Sequence, residues 1–356
     1  MSNIVFILGA GCSKRAGAPL MKEFLDTASY LHSTGKVQAK SEHFERVFKA
    51  IGSLQAVHSK AQLDIYNIES IFNAFEIANT IKKLPGYKAD EIPVVIDSLK
   101  EVIVSTLENT IKFPTKNSNI GIPIPYDRFM EMVNYVTKEA TPKRTASIIT
   151  LNYDIAIDMA FYNSLIAYDY GIDEKECSGI PILKLHGSLN WASRRSDNTI
   201  IPLKLSDYFK HYSVIPLQEY TDLIIPIGSH LKEYFSKNTD EDVNEQPVIV
   251  PPTWNKADHY SSINSVWVHA ASELAGAEYI FIIGYSLPET DAFFRLLYAL
   301  GTVSSTPLKN IEVFNPDTGD DIRKRFESIL GYGAKARYRY SISEFNDAIV
   351  RIRNSF

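Results

Sequence analysis

Short apolar runs, each followed by glycine or a polar residue, recur along the chain. The first run, at residues 3–8, is apolar on both sides and ends at a glycine, which is typical of a buried parallel strand. Later runs have the same character and are mostly separated by segments of helical spacing. They lie at 146–151, 181–185, 248–250, 279–283 and 311–314. This alternation predicts an α/β fold, a Rossmann-like parallel sheet with helices on both faces.

Residues 9–145 contain no strand-like run, and a structureless connection of that length is not expected in a compact domain. We therefore predict a large helical insertion after the first strand. Apolar residues with helical spacing support it; they are Leu20, Phe24, Ala28 and Leu31, then Ile68, Ile71, Phe72, Phe75 and Ala78, then Ile96, Leu99, Ile103, Leu107 and Ile111. The predicted units are a Rossmann-like domain at 1–32 and 142–356 and a helical insertion subdomain at 33–141.

Composition restricts the ligands and the compartment. Lys and Arg number 37 against 42 Asp and Glu, so no overall positive charge favours nucleic acid. The two cysteines, Cys12 and Cys177, cannot form a four-thiolate zinc site, and no other cluster has metal-ligand spacing, so we predict no metal and no zinc. The first residues lack a signal-peptide pattern, and no apolar run approaches the ~20 residues of a membrane span. A cytoplasmic protein that binds neither membranes nor nucleic acid directly is predicted.

Small or polar residues follow five of the predicted strands, at the edge where open α/β sheets bind ligands. The turn Gly9-Ala10-Gly11 and Ser13 follow the first strand, and glycines there would let a phosphate approach the backbone. The alternative is a tight turn whose glycines serve packing only. Lys14 replaces the third glycine of the dehydrogenase fingerprint, and Tyr30, Leu31 and His32 stand where an acidic residue would hold the ribose, which disfavours hydride transfer.

The other strand ends carry groups suited to binding and proton transfer. Asn152 and Asp154 follow the run at 146–151, although Asp154 is equally well explained as a cap of the next helix. His186 follows the run at 181–185, and an imidazole in such a place suits proton transfer. The later strand ends place small polar groups beside a possible ribose or phosphate. They are Gly284, Ser286 and Asn315. Together these residues predict a nucleotide site.

The ordered motifs resemble those of sirtuin-like proteins over most of the chain. The motifs are GAGCSKRAGAP at 9–19, TLNYD at 150–154, LHGS at 185–188, GYS at 284–286 and FNPD at 314–317. Three further patterns are similar to the bacterial sirtuin-like branch associated with antiphage defence. They are NIESIF at 67–72, HGSLNW at 186–191 and VPPT at 250–253. The chain departs from deacylating sirtuins because it lacks their four-cysteine zinc module and carries Leu20-Met21-Lys22 where they continue with Asp-Phe-Arg.

The resemblance implies an NAD hydrolase (NADase) that cleaves its substrate NAD to ADP-ribose and nicotinamide. It implies that Asn152 holds a ribose hydroxyl or the attacking water, that His186 is the general base and that Asp154 binds the nicotinamide carboxamide. The remaining residues would bind the rest of NAD. Gly9, Ala10, Gly11 and Ser13 would form the pyrophosphate turn, and Gly284, Ser286 and Asn315 the adenosine side.

The resemblance also implies an antiphage-defence effector that depletes cellular NAD. No appended sensor domain is evident after the last predicted helix at 343–353, so we expect activation by assembly into a homo-oligomer or by a partner such as a HerA-type ATPase. Three alternatives stay open. The first is a non-catalytic sensor of NAD or ADP-ribose that gates a partner, which would need the glycines but not a base. The second is a deacylase or ADP-ribosyltransferase that uses the same pocket, and the third, a dehydrogenase, fits least well.

Overall fold

The computed structural model describes residues 1–356 except 56–62, 117–118, 174, 176, 212–221, 251–256 and 290, and for 116 and 257–262 only the backbone. The strands are β1 (Ile4–Leu8), β2 (Thr115–Lys116), β3 (Asn119–Ile120), β4 (Ala146–Thr150), β5 (Tyr168–Asp169), β6 (Ile180–Lys184), β7 (Gly187–Ser188), β8 (Trp191–Ser193), β9 (Ile200–Pro202), β10 (Val248–Ile249), β11 (Tyr279–Ile283), β12 (Asn310–Asn315) and β13 (Tyr338–Ile342).

The α-helices follow the same chain order. They are α1 (Phe24–Ser33), α2 (Ser41–Gln55), α3 (Ile68–Thr80), α4 (Ile92–Thr110), α5 (Tyr126–Asn134), α6 (Ala156–Asn163), α7 (Leu205–His211), α8 (Ile227–Asn238), α9 (Ala257–Gly276), α10 (Ala292–Gly301), α11 (Asp320–Ile329), α12 (Tyr332–Lys335) and α13 (Phe345–Arg353).

Seven of these strands form one parallel sheet in the order β13-β12-β11-β1-β4-β6-β5. Apart from the short edge strand β5, this is the doubly wound order, in which the chain runs outward from β1 in one direction and then from β11 in the other. In such sheets the crevice for ligands opens between the two central strands, at their carboxyl ends. Here that crevice lies between the residues that follow β1 and those that follow β11.

Helices cover both faces of the sheet. Helices α5, α6 and α13 pack together, whereas α9 packs on α10 and on β6. Right-handed crossovers explain this division, because reversing the direction of travel along the sheet moves the connecting helix to the other face. The parallel sheet with helices on both faces and a large helical insertion after β1 confirm the predicted α/β Rossmann-like fold.

A second hydrophobic core lies beside the core of the sheet. Helices α1 to α4 supply most of it, and residues from 189–249, including α7 and α8, complete it. Helix α5 instead packs its Tyr126, Phe129 and Met130 into the sheet core. The proposed boundaries of the insertion subdomain, 33–141, stay a prediction, and the packing groups α1, α7 and α8 with its helices.

Several local predictions differ from the structure. The run at 248–250 is not a strand of the main sheet: β10 pairs antiparallel with β7 beside His186. The edge strand β13 was not predicted, because its sequence YRYSI alternates polar and apolar residues and its side chains are half-exposed or exposed. The insertion also contains the short antiparallel pair β2 and β3. Of the motif VPPT, residues 251–253 lie outside the described residues.

Candidate active site

The glycines after β1 and β11 pack directly against one another at the central crevice. The N–H of Gly9 donates to Ile283 O at 2.9 Å, and the N–H of Gly11 donates to Gly284 O at 2.9 Å. A Cβ at Gly9 would lie 2.6 Å from Gly284 O, and one at Gly11 would lie 2.8 Å from Gly284 Cα. Gly284 itself has a φ of +63°, the left-handed region that favours glycine. These contacts support the packing interpretation of the three glycines.

The backbone donors of this turn are mostly used inside the protein. The N–H of Cys12 donates to Gly9 O at 3.0 Å, and that of Ser13 donates to Ala10 O at 3.1 Å. The Cys12 thiol is buried and donates to Ile283 O at 3.2 Å, and burial raises its pKa well above the usual value. Contact between this turn and a phosphate stays a prediction. The buried, hydrogen-bonded thiol of Cys12 contributes to packing.

A largely apolar cleft lies between the insertion helices and the loops after β1 and β4. It contains about 540 Å³ of empty space, part of it open to solvent. One wall comes from the insertion and the other from the sheet edge. The lining residues are Ala18, Pro19, Met21, Phe24, Ile68, Glu69, Phe72, Ile103 and Leu107 on the first wall, and Ala10, Leu151, Asn152, Tyr153 and Asp154 on the second. Of the predicted site residues, Ala10, Asn152 and Asp154 line this cleft.

Asn152 connects the strand ends of β1 and β4. Its Nδ2 donates to Gly9 O at 3.1 Å and to Ser13 Oγ at 3.2 Å. The Ser13 hydroxyl is fully buried and also lies 2.9 Å from the Tyr126 hydroxyl. Both amide hydrogens of Asn152 are therefore engaged in holding the glycine turn. A ligand would have to compete with Ser13 for one of them.

Asp154 is both a helix cap and a cleft residue, the two roles that the sequence left open. Its Oδ1 accepts a hydrogen bond from the N–H of Ala156, the first residue of α6, at 2.9 Å. Its side chain also lines the cleft. Burial raises the pKa of Asp154, and the charge of Lys184 and the Ala156 N–H oppose this rise. Asp154 thus shapes the start of α6 and presents a polar group to the cleft.

His186 lies beside the cleft but does not line it. Its side chain is 4% exposed, and its ring centre is 6.2 Å from that of Tyr153, which does line the cleft. Its Nε2 lies 3.8 Å from Asp291 Oδ2. Its Nδ1 is buried and has no hydrogen-bond partner in the described part of the chain. The backbone is fixed by the N–H of Val250, which donates to His186 O at 2.9 Å.

Asp291 and Tyr285 were not predicted as site residues. Asp291 precedes α10, and its Oδ1 accepts from the N–H of Phe294 at 3.1 Å, while its Oδ2 accepts from the Tyr285 hydroxyl at 2.6 Å. A sequence signal for Asp291 exists, because an aspartate directly before an apolar helical run is a typical N-cap. That signal predicts the cap alone, since the proximity to His186 depends on the packing of strands far apart in sequence.

The residues predicted for the adenosine side lie on the loops after β11 and β12, outside the cleft lining. Asn315 Nδ2 donates to Tyr285 O at 3.3 Å, and its Oδ1 accepts from the N–H of Asp317 at 3.0 Å. Ser286 O accepts from Arg325 Nη1 at 3.3 Å. The structure therefore brings Gly284, Ser286 and Asn315 onto adjacent loops, and their contact with a ligand stays a prediction.

A buried polar network supports the loop that carries His186. Lys184 and Asp158 are both 0% exposed, and Lys184 Nζ donates to Asp158 Oδ2 at 2.7 Å, to Ser188 Oγ at 2.6 Å and to Asp154 O at 2.7 Å. Asn190 accepts from Ser188 Oγ at 2.6 Å, and its Nδ2 donates to the Tyr170 hydroxyl at 2.8 Å. The Tyr170 hydroxyl closes the ring by donating to Asp158 Oδ1. We call this set, Lys184, Asp158, Ser188, Tyr170 and Asn190, the lysine network.

The described part of the chain contains no group of three or more His, Cys, Asp or Glu side chains arranged to hold a metal ion. No helix among the described residues combines the length and the apolar character that crossing a bilayer requires.

No protein-family model matches this chain, and no curated protein matches it. Among solved structures, the chain is similar to one described as a Sir2 homologue–NAD complex, with TM-score 0.43 and 12% identity over 99% of this chain and 91% of that one. A structure concerning the mechanism and regulation of Sir2 enzymes gives TM-score 0.42 and 10% identity over 99% and 92%. A Sir2 structure with a bound propionylated peptide gives TM-score 0.39 and 11% identity over 99% and 93%. The strand order and pairing of this chain establish its fold independently of these similarities.

Proposed function

We propose that this protein is an NAD hydrolase, which cleaves NAD to ADP-ribose and nicotinamide. The observation that carries the proposal is the buried Nδ1 of His186, which has no partner in the described structure and stands beside the cleft lined by Asn152 and Asp154. A buried nitrogen without a hydrogen bond costs about 1–3 kcal/mol. A ribose hydroxyl or a water molecule in the cleft would supply the missing donor.

In the proposed reaction the bond between the nicotinamide nitrogen and the ribose C1′ breaks, and nicotinamide leaves with the bonding electron pair. Water then forms the new C–O bond at C1′, and His186 accepts the proton that this water loses. The apolar wall of the cleft would keep other water away from the oxocarbenium-like centre. Asn152 would position the ribose or the water, and Asp154 the carboxamide of nicotinamide.

The remaining predicted residues would bind the rest of NAD. Ala10 faces the cleft, and Gly9, Gly11 and Ser13 would place the turn against the pyrophosphate. Gly284, Ser286 and Asn315 would contact the adenosine side. No zinc or other metal takes part in this proposal.

We further propose that hydrolysis serves antiphage defence in the cytoplasm, where an activated enzyme would deplete cellular NAD. The motif resemblance supports this proposal, as does the physical point that a permanently active enzyme would harm its own cell. Activation would come from homo-oligomer assembly or from a partner such as a HerA-type ATPase. Sizing chromatography with light scattering tests this part, because a monomer that is fully active without additions would contradict it.

A non-catalytic sensor of NAD or ADP-ribose is the second candidate. The glycine turn at 9–11 supports it, and the presence of both Asn152 and His186 counts against it. A sensor would bind the nucleotide without needing the general base. A deacylase or ADP-ribosyltransferase would instead transfer the ADP-ribosyl group to an acyl-lysine or protein acceptor.

The test is chromatography of the nucleotide products after incubation of the purified protein with NAD, with and without any co-purifying ATPase. We expect nicotinamide and ADP-ribose, and a loss of about 10²–10⁴-fold in rate for His186→Ala, the usual contribution of a general base. Asn152→Ala should also be inactive. His269→Ala should be unaffected, because His269 does not line the cleft and its Nε2 lies 3.0 Å from Asp173 O. NAD binding by calorimetry without turnover would favour the sensor, and modified peptides would favour group transfer.

A further inference from the structure

The two ring nitrogens of His186 have different surroundings. Nε2 faces the carboxylate of Asp291 at 3.8 Å, whereas Nδ1 is buried without a partner in the residues that the structure describes. A neutral imidazole carries one N–H and one lone pair, and its neighbours decide which nitrogen has which. The environment of His186 therefore selects one tautomer.

The Asp291 carboxylate is held firmly in place. Its side chain is almost fully buried, its Oδ1 accepts from the N–H of Phe294, and its Oδ2 accepts from the Tyr285 hydroxyl. Burial acts to raise the pKa of Asp291, but His186, Tyr285 and the Phe294 N–H outweigh it and hold this pKa below its usual range. An ionised carboxylate accepts hydrogen bonds and donates none. The nitrogen that faces it must be the one that carries the proton.

We propose that Asp291 is the positioning residue of His186, holding Nε2–H toward its carboxylate so that Nδ1 is the nitrogen that accepts the substrate proton. The inference rests on the proposed NAD hydrolysis for the identity of that proton, which comes from water or a ribose hydroxyl. The distance of 3.8 Å is longer than a direct hydrogen bond. Catalytic hydrogen bonds are often long before substrate binds, and a ring movement of about 1 Å would close this one.

The first experiment reads the tautomer without any substrate. We would label histidine with ¹⁵N in the full-length protein and assign the His186 signals from their loss in His186→Ala. The wild-type ring in its neutral form should carry its proton on Nε2. In Asp291→Asn this preference should weaken or disappear, and in Asp320→Asn, an exposed aspartate in the first turn of α11, it should stay. A wild-type neutral ring protonated on Nδ1 would overturn the proposal.

The second experiment measures steady-state kinetics with NAD. Asp291→Asn should lower kcat by about 100-fold with little change in KM, at the lower end of the effect of a general base. Tyr285→Phe, which removes one donor to Asp291, should lower kcat less. Asparagine is also a good N-cap, so α10 should remain intact and the thermal unfolding midpoint should be close to that of the wild type. An unchanged kcat in Asp291→Asn would overturn the positioning role.

The two experiments separate this inference from the proposed function. If the wild type does not hydrolyse NAD, the proposed function fails, and the ¹⁵N signals still decide whether Asp291 fixes the tautomer. If NAD is hydrolysed but the neutral ring is protonated on Nδ1, the proposed function stands and this inference fails.

Discussion

The two sides of the loop that carries His186 differ in how completely their polar groups are paired. On one side, the lysine network satisfies all three hydrogens of Lys184 and both carboxylate oxygens of Asp158. On the other side, His186 Nδ1 has no partner among the described residues, and Nε2 is 3.8 Å from Asp291. The fully hydrogen-bonded lysine network and the incompletely hydrogen-bonded His186 thus lie within a few residues of each other.

We infer from this difference which groups form the scaffold and which would contact a ligand. Buried polar groups without partners are costly, and complete networks make a buried region rigid and specific. The lysine network ties the backbone of Asp154 to Ser188, on either side of the sequence position of His186. It therefore holds the backbone on both sides of His186, and we infer that the imidazole ring is the part that would contact a ligand in the cleft.

Breaking the lysine network should produce the largest effect. Lys184→Met would leave Asp158 as a buried carboxylate without a cation, and such a loss typically costs 3–5 kcal/mol, so we expect the free energy of unfolding to fall by about that amount. Urea denaturation measures it. In the double variant Lys184→Met with Asp158→Asn, removal of the stranded charge should restore part of the loss.

The control for this change is Lys232→Met, because Lys232 and Glu245 form an exposed ion pair at 2.5 Å. Exposed pairs contribute about 0–1 kcal/mol, so this variant should unfold almost like the wild type. If Lys184→Met were as mild as Lys232→Met, the lysine network would not be the scaffold of the loop.

Glu108 differs from Asp158 of the lysine network, because it is buried and hydrogen-bonded but has no cation among its described partners. It accepts from the N–H of Ser229 at 3.1 Å and from the Ser229 hydroxyl at 2.5 Å. Burial raises its pKa from 4.5 to about 7, and the donors of Ser229 and Gly228 oppose the rise. The neutral donors around Glu108 therefore compensate its burial incompletely.

The raised pKa predicts a definite pH dependence of stability. The folded state binds the Glu108 proton more tightly than the unfolded state, so the contribution of Glu108 to the free energy of unfolding is greatest below pH 4.5 and falls as pH rises to about 7. The full decrease is about 3 kcal/mol, from 1.36 kcal/mol per pKa unit. Glu108→Gln should lack this decrease.

Urea denaturation of the wild type and of Glu108→Gln between pH 4.5 and about 7 gives the difference between their free energies of unfolding. The titration of all other groups cancels in this difference. Glu233→Gln is the matched control, since Glu233 is an exposed partner of Lys237 on α8. Equal pH slopes for the wild type and Glu108→Gln would contradict the prediction.

Much of the fold could be predicted because the central strands are buried on both faces. The runs at 3–8, 146–151, 181–185, 279–283 and 311–314 all became parallel strands, with ends within one residue or so of the prediction. The edge strand β13 has one half-solvated face and polar residues at alternate positions, so its sequence lacks that signal. Residues 248–250 are apolar because Ile249 packs into the second core and Val250 into the core of the sheet. Apolarity alone did not distinguish this packing from a place in the main sheet.

In the candidate site, too, some features could be predicted from the sequence and others depend on the fold. Strand ends of a parallel sheet meet at one edge, which is why residues far apart in the chain could be assigned to one site from the sequence. In the structure Asn152 contacts Gly9 and Ser13. The pairing of His186 with Asp291 depends on the docking of α10, which no local pattern encodes. Lys184 did carry a signal, because a lysine inside an apolar strand requires a buried acidic partner. Its partner Asp158 could be identified only from the fold.

Substitution of Ser13 should produce the smallest effect, because Ser13 both supports the glycine turn and belongs to the proposed ligand site. Its hydroxyl is buried between Tyr126 and Asn152, so Ser13→Ala should lower the free energy of unfolding by about 1 kcal/mol, the usual contribution of a hydrogen bond. Asn152 keeps its bond to Gly9 O, so the turn should stay folded. Loss of the Ser13 hydroxyl from the proposed pyrophosphate turn should raise the KM for NAD by about threefold, a difference worth under about 1 kcal/mol. Thermal unfolding and initial rates measure both quantities, with Ser13→Thr as a variant that keeps the hydroxyl. An unchanged KM for Ser13→Ala would contradict the proposed pyrophosphate contact and leave Ser13 a scaffold residue alone.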